Sequence, residues 1–249
     1  CHIEGIYVPA FYNIEYNPDG TVKSIKSDGD APMPIRKRII KDFDKVYYPD
    51  YFVVPFTDIV HDRAVVEVLR GCIRGCRFCQ AGYIYRPFRE KSVDTIAKET
   101  KALCEQTGYE EVSLSSLSTS DHPEIEELLS KLVDYTESEK VSLSLPSLRV
   151  DNFSEEILEK INRVRKTGLT FAAEAGLRDV INKNITEEEI LSTCKIAFIS
   201  GYQTVKLYFM MGLPTETDED IQGIVTLVRK ISDLFYEVDR GVKGKFLSI

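Results

Sequence analysis

From Ala64 onward, short apolar runs alternate with amphipathic stretches, and this rhythm restricts the fold more than any other feature of the chain. The apolar runs cover residues 65–69, 111–117, 141–145, 169–173, 204–211 and 245–249, each of strand length. Between them, Ile125, Leu128, Leu129 and Leu132 recur at helical spacing, as do Ile157, Leu158 and Ile161. Ile221, Ile224, Val225, Val228 and Ile231 form a further stripe. Asp121 precedes Glu124, Thr186 precedes Glu189 and Thr217 precedes Asp220, each at the spacing of a capping box that opens a helix. Strands that alternate with helices pair in parallel, because each helix carries the chain back across the sheet. The expectation is an α/β fold with six strands and five helices. An open doubly wound sheet and a barrel both satisfy this pattern, and periodicity alone does not choose between them. In either, the loops at the C-terminal ends of the strands face one crevice, and functional residues belong there.

Residues 1–63 lack the rhythm and are rich in Tyr, Pro and Asp. Asn17-Pro18-Asp19-Gly20 separates two alternating flanks, residues 12–16 and 21–25, and its Pro and Gly supply the turn dihedrals of a β-hairpin. The basic run Arg36-Lys37-Arg38, with Lys41, reads as a solvated helix face, with an anion or nucleic-acid site as the alternative. At 43% hydrophobic and 29% charged residues, the 249-residue chain has a globular composition, which excludes disorder as a description of the whole. A formal net charge of -8 argues against a general nucleic-acid binder, though not against a local basic patch. No apolar run approaches the ~18–20 residues of a membrane span, and none near the start has signal-peptide character. A cytoplasmic protein without membrane contact is expected. The chain starts at Cys1 and closes inside the run Phe246-Leu247-Ser248-Ile249, so it reads as a fragment of a longer protein.

The six cysteines are Cys1, Cys72, Cys76, Cys79, Cys104 and Cys194. Three of them fall within eight residues. In a chain with no secretory features, such clustering favours metal or redox chemistry over structural disulfides. Cys104 and Cys194 keep step with apolar helical neighbours and read as small packing residues. The cluster lies in Leu69-Arg70-Gly71-Cys72-Ile73-Arg74-Gly75-Cys76-Arg77-Phe78-Cys79, directly after the first strand of the rhythm. Three thiolates spaced C-x3-C-x2-C on one loop can hold three corners of a cubane iron–sulfur cluster and leave the fourth iron open to an exogenous ligand. Gly71 and Gly75 let the backbone fold tightly there. Two other readings stand beside this one. A structural zinc site would need a fourth ligand, such as His61 or His122, from elsewhere. A thioredoxin-like Cys76–Cys79 pair would leave Cys72 without a role.

With Phe78 before the last cysteine, the motif resembles that of the radical S-adenosylmethionine (SAM) superfamily. The resemblance extends to Arg70-Gly71-Cys72, Gly75-Cys76-Arg77-Phe78-Cys79-Gln80-Ala81-Gly82, Ile84-Tyr85-Arg86-Pro87, Leu143-Ser144-Leu145-Pro146-Ser147-Leu148-Arg149-Val150-Asp151 and Lys206-Leu207-Tyr208-Phe209-Met210. Within the superfamily it points to bacterial proteins with an N-terminal cobalamin-binding-like domain, and it covers nearly all of the chain. It implies a partial TIM barrel of (β/α)6 type with an N-terminal hairpin-containing extension. Residues 1–63 would be a connecting segment, and residues 64–249 the core domain, cut short at its C-terminal end. Cys72, Cys76 and Cys79 would ligate three irons of a [4Fe-4S] cluster, and the amino and carboxylate groups of SAM would chelate the fourth. One electron would then cleave the sulfonium to methionine and a 5′-deoxyadenosyl radical that abstracts hydrogen from a substrate. The resemblance further implies an electron donor such as flavodoxin or ferredoxin. Cobalamin on a domain outside this chain would assist a methyl transfer. The sequence does not name the substrate; RNA is one candidate.

The same resemblance assigns roles to single residues. Phe78 lies beside the adenine. In the run Ser115-Ser116-Leu117-Ser118-Thr119, Ser116 and Ser118 stand where many members bind the SAM amino group through a glycine-rich motif, with hydroxyls in place of Gly-Gly-Glu. Glu174 ends the fourth strand and accepts from ribose hydroxyls or the SAM ammonium; an acidic residue at a helix start is the alternative. The subfamily has Pro where Ala173 stands, and a longer loop between Gly176 and Leu177. Lys183 pairs with the SAM carboxylate, with Arg178 as the other candidate. Gly212 allows close approach of the adenine, Met210 or Leu213 packs on it, and Tyr208 faces the barrel interior. Arg70, Arg74, Arg77, Arg86, Arg89 and Lys91 make the motif region basic. They serve either the negative charge of the cluster or an anionic substrate or partner, such as RNA or a reductant. His122 reads as a helix-start residue. The competing class is a non-catalytic module that keeps the fold to bind RNA or protein, and three clustered thiols speak against it.

Overall fold

The computed structural model describes residues 3–146, 149–152, 155–162, 164, 168–174, 176–238 and 246–249. The chain divides into two compact units, Cys1–Val46 and Tyr47–Ile249.

In the first unit, β1 (Tyr12–Tyr16) and β2 (Val22–Ser27) form the expected antiparallel hairpin, with Tyr12 opposite Ser27 and Ile14 opposite Ile25. The turn works as its residues dictate. Gly20 sits at φ +83°, a conformation that suits glycine, and its N–H donates to Asn17 O at 2.9 Å. The basic run departs from expectation, since residues 36–38 are exposed and form no helix. Pro32 and Pro34 just upstream disfavour helix at the residues before them and remove two backbone donors.

The second unit opens with β3 (Ala64–Glu67), β4 (Leu69–Arg70), the single turn α1 (Ala81–Ile84), β5 (Arg89–Glu90) and α2 (Val93–Thr107). It continues through β6 (Glu111–Ser115), α3 (Ile125–Glu139), β7 (Ser142–Ser144) and α4 (Glu155–Asn162). It closes with β8 (Leu169–Ala172), α5 (Glu187–Ile199), β9 (Val205–Tyr208) and α6 (Asp218–Glu237). The parallel strands fall into two sheets, β3-β6-β7 and β8-β9. A parallel bridge from Thr204 to Ser248 marks the place of the sixth expected strand. Neighbouring strands follow chain order, as in a barrel and unlike a doubly wound sheet, where the order reverses. Among the described residues no ladder joins β7 to β8, so the arrangement is a partial barrel.

Each sheet buries one face against its own helices. Val66, Val112, Leu114 and Leu143 pack with Ile96 and Leu103 of α2 and Leu128, Leu129 and Leu132 of α3. Leu169, Phe171 and Val205 pack with Phe198 of α5 and Leu227, Ile231 and Phe235 of α6, and Phe198 meets Phe235 edge-on at 5.0 Å. The one-residue step between Ile157 and Leu158 lets α4 serve both sides: Ile157 and Ile161 join the first core, Leu158 the second. Cys104 and Cys194 are buried, one in each core, as expected of packing residues. Burial pushes their thiols up to about 11 and about 12.

By the period-2 rule the alternate positions take the opposite sheet face. On the first sheet these are Glu67, Ser113, Ser115, Ser142 and Ser144; on β9 they are Lys206 and Tyr208, both exposed. Capping boxes open α5 at Thr186/Glu189 and α6 at Thr217/Asp220, as expected. The third does not form. α3 begins at Ile125 without a side-chain cap, because the Asp121 carboxylate is drawn away to Arg74.

Candidate functional site

The cysteine loop is an excursion in the first strand. Val68 continues the parallel pairing, donating to Ser115 O at 3.0 Å. β4 then swings across to pair antiparallel with β5, Leu69 opposite Glu90 and Arg70 opposite Arg89. This short ladder gathers the ends of the loop that carries Cys72, Cys76 and Cys79. All three cysteines are half-buried and free of disulfides. Gly71 is indispensable to the closure. It sits at φ +94°, and a Cβ on it would lie 2.7 Å from Pro87 O and 2.8 Å from Tyr85 O.

The loop is pinned from two sides. On one, the segment after β8 grips it. Arg77 N–H donates to Ile181 O at 2.9 Å, the Arg77 guanidinium to Val180 O at 2.7 Å, and Asn182 Nδ2 to Gly75 O at 2.8 Å. On the other, the Arg74 guanidinium pairs with both oxygens of Asp121, its Nε reaching one at 3.0 Å, and with Asp151 at 3.2 Å. Burial pushes the Asp121 carboxyl up, but the hydrogen-bonded Arg74, helped by the charge of Arg149, holds it below the usual carboxylate range. The Arg74 backbone N–H donates to Cys72 Sγ at 3.4 Å.

Glu174, Lys183 and Met210, expected from different parts of the chain, are brought together. Lys183 Nζ lies 3.1 Å from one Glu174 oxygen, and Met210 N–H donates to the other at 2.7 Å. Both side chains of the ion pair are buried, at 7% and 5% exposure, and Glu174 adopts φ +52°. Arg178, the other candidate, donates instead to Ala173 O at 3.1 Å and Glu174 O at 2.8 Å. Asn182 and Lys183 therefore act back to back, one holding the cysteine loop and the other the β8–β9 end. Ser116 and Ser118 lie together beyond β6: Ser118 N–H donates to Ser116 Oγ at 3.1 Å, and Ser116 Oγ lies 2.8 Å from Thr119 Oγ1. A cavity of about 240 Å³ joins Ser115 and Ser116 to Glu67, Arg70, Gly71 and Tyr85 at the loop base. Phe78 and Tyr208 present exposed rings, with the Lys206 ammonium 5.1 Å from the Tyr208 centroid. Gly212 sits at φ +82°, and its N–H donates to Glu216 at 2.6 Å.

The basic residues of the motif are committed within the protein. Arg70 forks onto Glu67 at 2.8 and 2.7 Å. Lys91 is buried and paired with Glu99 at 2.6 Å. Arg86 and Arg89 donate to carbonyl oxygens of the same loop. His122 is buried too, its ring bridging Lys91 O at 2.9 Å and Glu124 N–H at 3.2 Å, which gives it a structural place at the turn before α3. Asn182, Asp121, Asp151 and Arg149 escape sequence reasoning. Asn182 carries no mark in the sequence, Asp121 reads there as a helix cap, and Arg149 and Asp151 appear only within a longer motif, with no sign that they would meet Arg74.

The donor set suits an iron–sulfur cluster: three thiols on one tightly closed loop, with a backbone donor at one of the sulfurs. Among the described residues, no group of three or more His, Cys, Asp or Glu side chains is placed to hold a single metal ion. A zinc site would need its sulfurs about 2.3 Å from one metal. Among the described residues, no helix is long and apolar enough to cross a membrane.

Comparison with known proteins agrees with this architecture. The family model described as the Radical SAM superfamily matches residues 66–228. Uncharacterized protein MJ0966 of Methanocaldococcus jannaschii is 32% identical over 236 residues, covering 90% of this chain and 52% of the relative. Ribosomal protein uS12 methylthiotransferase RimO of Elusimicrobium minutum is 29% identical over 191 residues, covering 71% of this chain and 44% of that protein. The chain thus spans about half the length of these curated relatives. The cobalamin- and [4Fe-4S]-bound radical SAM methyltransferase TsrM from Kitasatospora setae shares the fold. Its TM-score is 0.57 at 14% identity, over 68% of this chain and 34% of that one.

Proposed function

Because the chain belongs to the radical SAM superfamily of enzymes, we propose that Cys72, Cys76 and Cys79 hold a [4Fe-4S] cluster and that the enzyme cleaves SAM reductively to start radical chemistry on its substrate. The observation that carries this reading is the placement of three half-buried thiols on one closed loop, at the C-terminal end of the first parallel strand and inside the matched stretch. Such a cluster, reduced by an external carrier such as flavodoxin or ferredoxin, would supply the electron that breaks the sulfonium C–S bond of SAM.

The chain's own residues orient that chemistry. Gly71 and the β4–β5 ladder close the loop, and Arg77 and Asn182 fix its far side. The Lys183 ammonium has three donors and the contact with Glu174 uses one, so donors remain that could meet the SAM carboxylate. The second Glu174 oxygen holds the Met210 backbone, and Met210 and Gly212 would then line the adenine side. Ser116 and Ser118 offer hydroxyls at the end of β6 for the SAM amino group, and the exposed rings of Phe78 and Tyr208 offer faces for stacking.

A second reading, methyl or methylthio transfer assisted by cobalamin, is favoured by the names of RimO and TsrM. One experiment addresses both. The protein is reconstituted with iron and sulfide without air, reduced with dithionite and followed by EPR with and without SAM. A [4Fe-4S]+ signal that changes with SAM supports the reading. Stoichiometric zinc with no iron overturns it. 5′-Deoxyadenosine among the products identifies hydrogen abstraction, and S-adenosylhomocysteine identifies methyl transfer.

A further inference from the structure

Arg74 stands between Cys72 and Cys76, and its guanidinium closes a ring of polar contacts around the mouth of the barrel. It pairs with Asp121, which follows β6, and reaches Asp151 at 3.2 Å, which follows β7. Arg149 forks onto Asp151 at 2.8 and 3.1 Å. The Arg149 backbone N–H returns to Ser120 Oγ at 3.2 Å, one residue from Asp121. Two guanidinium groups meet two carboxylates, so the ring is neutral. It offers no net charge to an anionic substrate or to thiolates.

What the ring does offer is position. Asp121 and Asp151 are nearly buried, at 1% and 11% side-chain exposure, and they hang on loops from two adjacent parallel strands. Arg74 links these loops to the cysteines. Its backbone N–H faces Cys72 Sγ, and a cavity of about 220 Å³ beside it is lined by Cys76, Arg149 and Asn182. We propose that Arg74 is a positioning residue: through Asp121 and Asp151 it holds the Cys72–Cys76 span in its ligating conformation and keeps its own N–H on the Cys72 sulfur. The inference rests on the proposed function only for what the thiols hold.

The test uses the iron-free protein first. Alkylation of each cysteine with iodoacetamide is followed by mass spectrometry, with the buried Cys104 and Cys194 as internal reporters of the global fold. In Arg74→Ala, Cys72, Cys76 and Cys79 should react about tenfold faster, the factor that corresponds to ~1.4 kcal/mol of lost loop ordering. Cys104 and Cys194 should keep their wild-type rates. Arg74→Lys should fall between, because an ammonium keeps the charge but lacks the planar fork that engages both Asp121 oxygens. If Arg74→Ala fails to fold, Asp151→Asn breaks the same ring from its far side and should give the same pattern more weakly. After reconstitution, the variants should show a more negative cluster potential, since a hydrogen bond to sulfur stabilises the reduced state. Unchanged loop-thiol rates would overturn the inference. So would equal acceleration of Cys72, Cys76, Cys79, Cys104 and Cys194, which would make Arg74 a fold residue only. A wild-type protein that takes up no iron would refute the proposed function, while the labelling pattern would still decide the role of Arg74.

Discussion

The two sheets of the barrel unit secure their strand ends by different means. Behind β6 and β7 the loops are held by a ring of four charged side chains, with Arg74 still 26% exposed and each carboxylate touched by at least one guanidinium. Behind β8 and β9 the described residues show one ion pair, Lys183–Glu174, with both members almost fully buried. In the first arrangement Asp151 is touched by two guanidinium groups, so the loss of one leaves it paired, and Arg74 is partly solvated. The second has no substitute: removing one partner strands a charge in a low-dielectric interior, which costs far more than an exposed pair contributes. A tie at the solvent edge can be loosened by degrees, whereas a buried tie fails abruptly.

The largest expected effect follows from the buried pair. Glu174→Ala should destabilise the unit by roughly 3–5 kcal/mol, read as a lower urea midpoint at unchanged slope. If it costs less than 1 kcal/mol, the contrast between the two sheets disappears. Gly71→Ala comes next, at about 2–3 kcal/mol, because the added methyl meets backbone oxygens at 2.7 and 2.8 Å and the residue is held at φ +94°. Iron uptake after reconstitution should fall with it, while Cys104 and Cys194 stay protected from alkylation.

Asp121→Asn should have a smaller effect, with a distinct pH dependence. Folding lowers the Asp121 pKa, so its ion pairing adds stability above the unfolded carboxylate value of about 4 and loses it as pH falls through the lower folded value. The variant should therefore be less stable than wild type at pH 7, and the gap should close in melts taken below that range. Smallest of all, Thr217→Ala removes the α6 capping box and should cost about 1 kcal/mol without changing iron uptake. A loss of iron in that variant would tie the helix start to the cysteine loop in a way no described contact suggests.

Sequence reasoning succeeded where the physics is local and repetitive. Strand positions followed from apolar runs, and the boxes at Thr186 and Thr217 followed from spacing three residues wide. Gly71 was legible because a positive φ beside crowded backbone has few other occupants. Asp121 was misread for an instructive reason. Its spacing to Glu124 fits a cap, but a guanidinium 47 residues away in the chain competes for the same carboxylate and wins. Arg36–Arg38 failed similarly, because the pattern of charge was read as helical while Pro32 and Pro34 governed the backbone. The meeting of Glu174, Lys183 and the Met210 amide needed the fold itself, since three elements supply it and no period in the sequence connects them.

The inner surface of the sheets has a consequence for how such a protein can diversify. Ser113, Ser115, Ser144, Lys206 and Tyr208 occupy the strand face turned away from the helices, while the apolar packing that stabilises the fold lies on the other. In closed barrels branched apolar side chains fill this space and share in stability. Here the serine, lysine and tyrosine positions are largely relieved of that duty. Selection can exchange them one at a time without eroding the scaffold, so new molecules can be accommodated by drift in a lining that the architecture does not depend on.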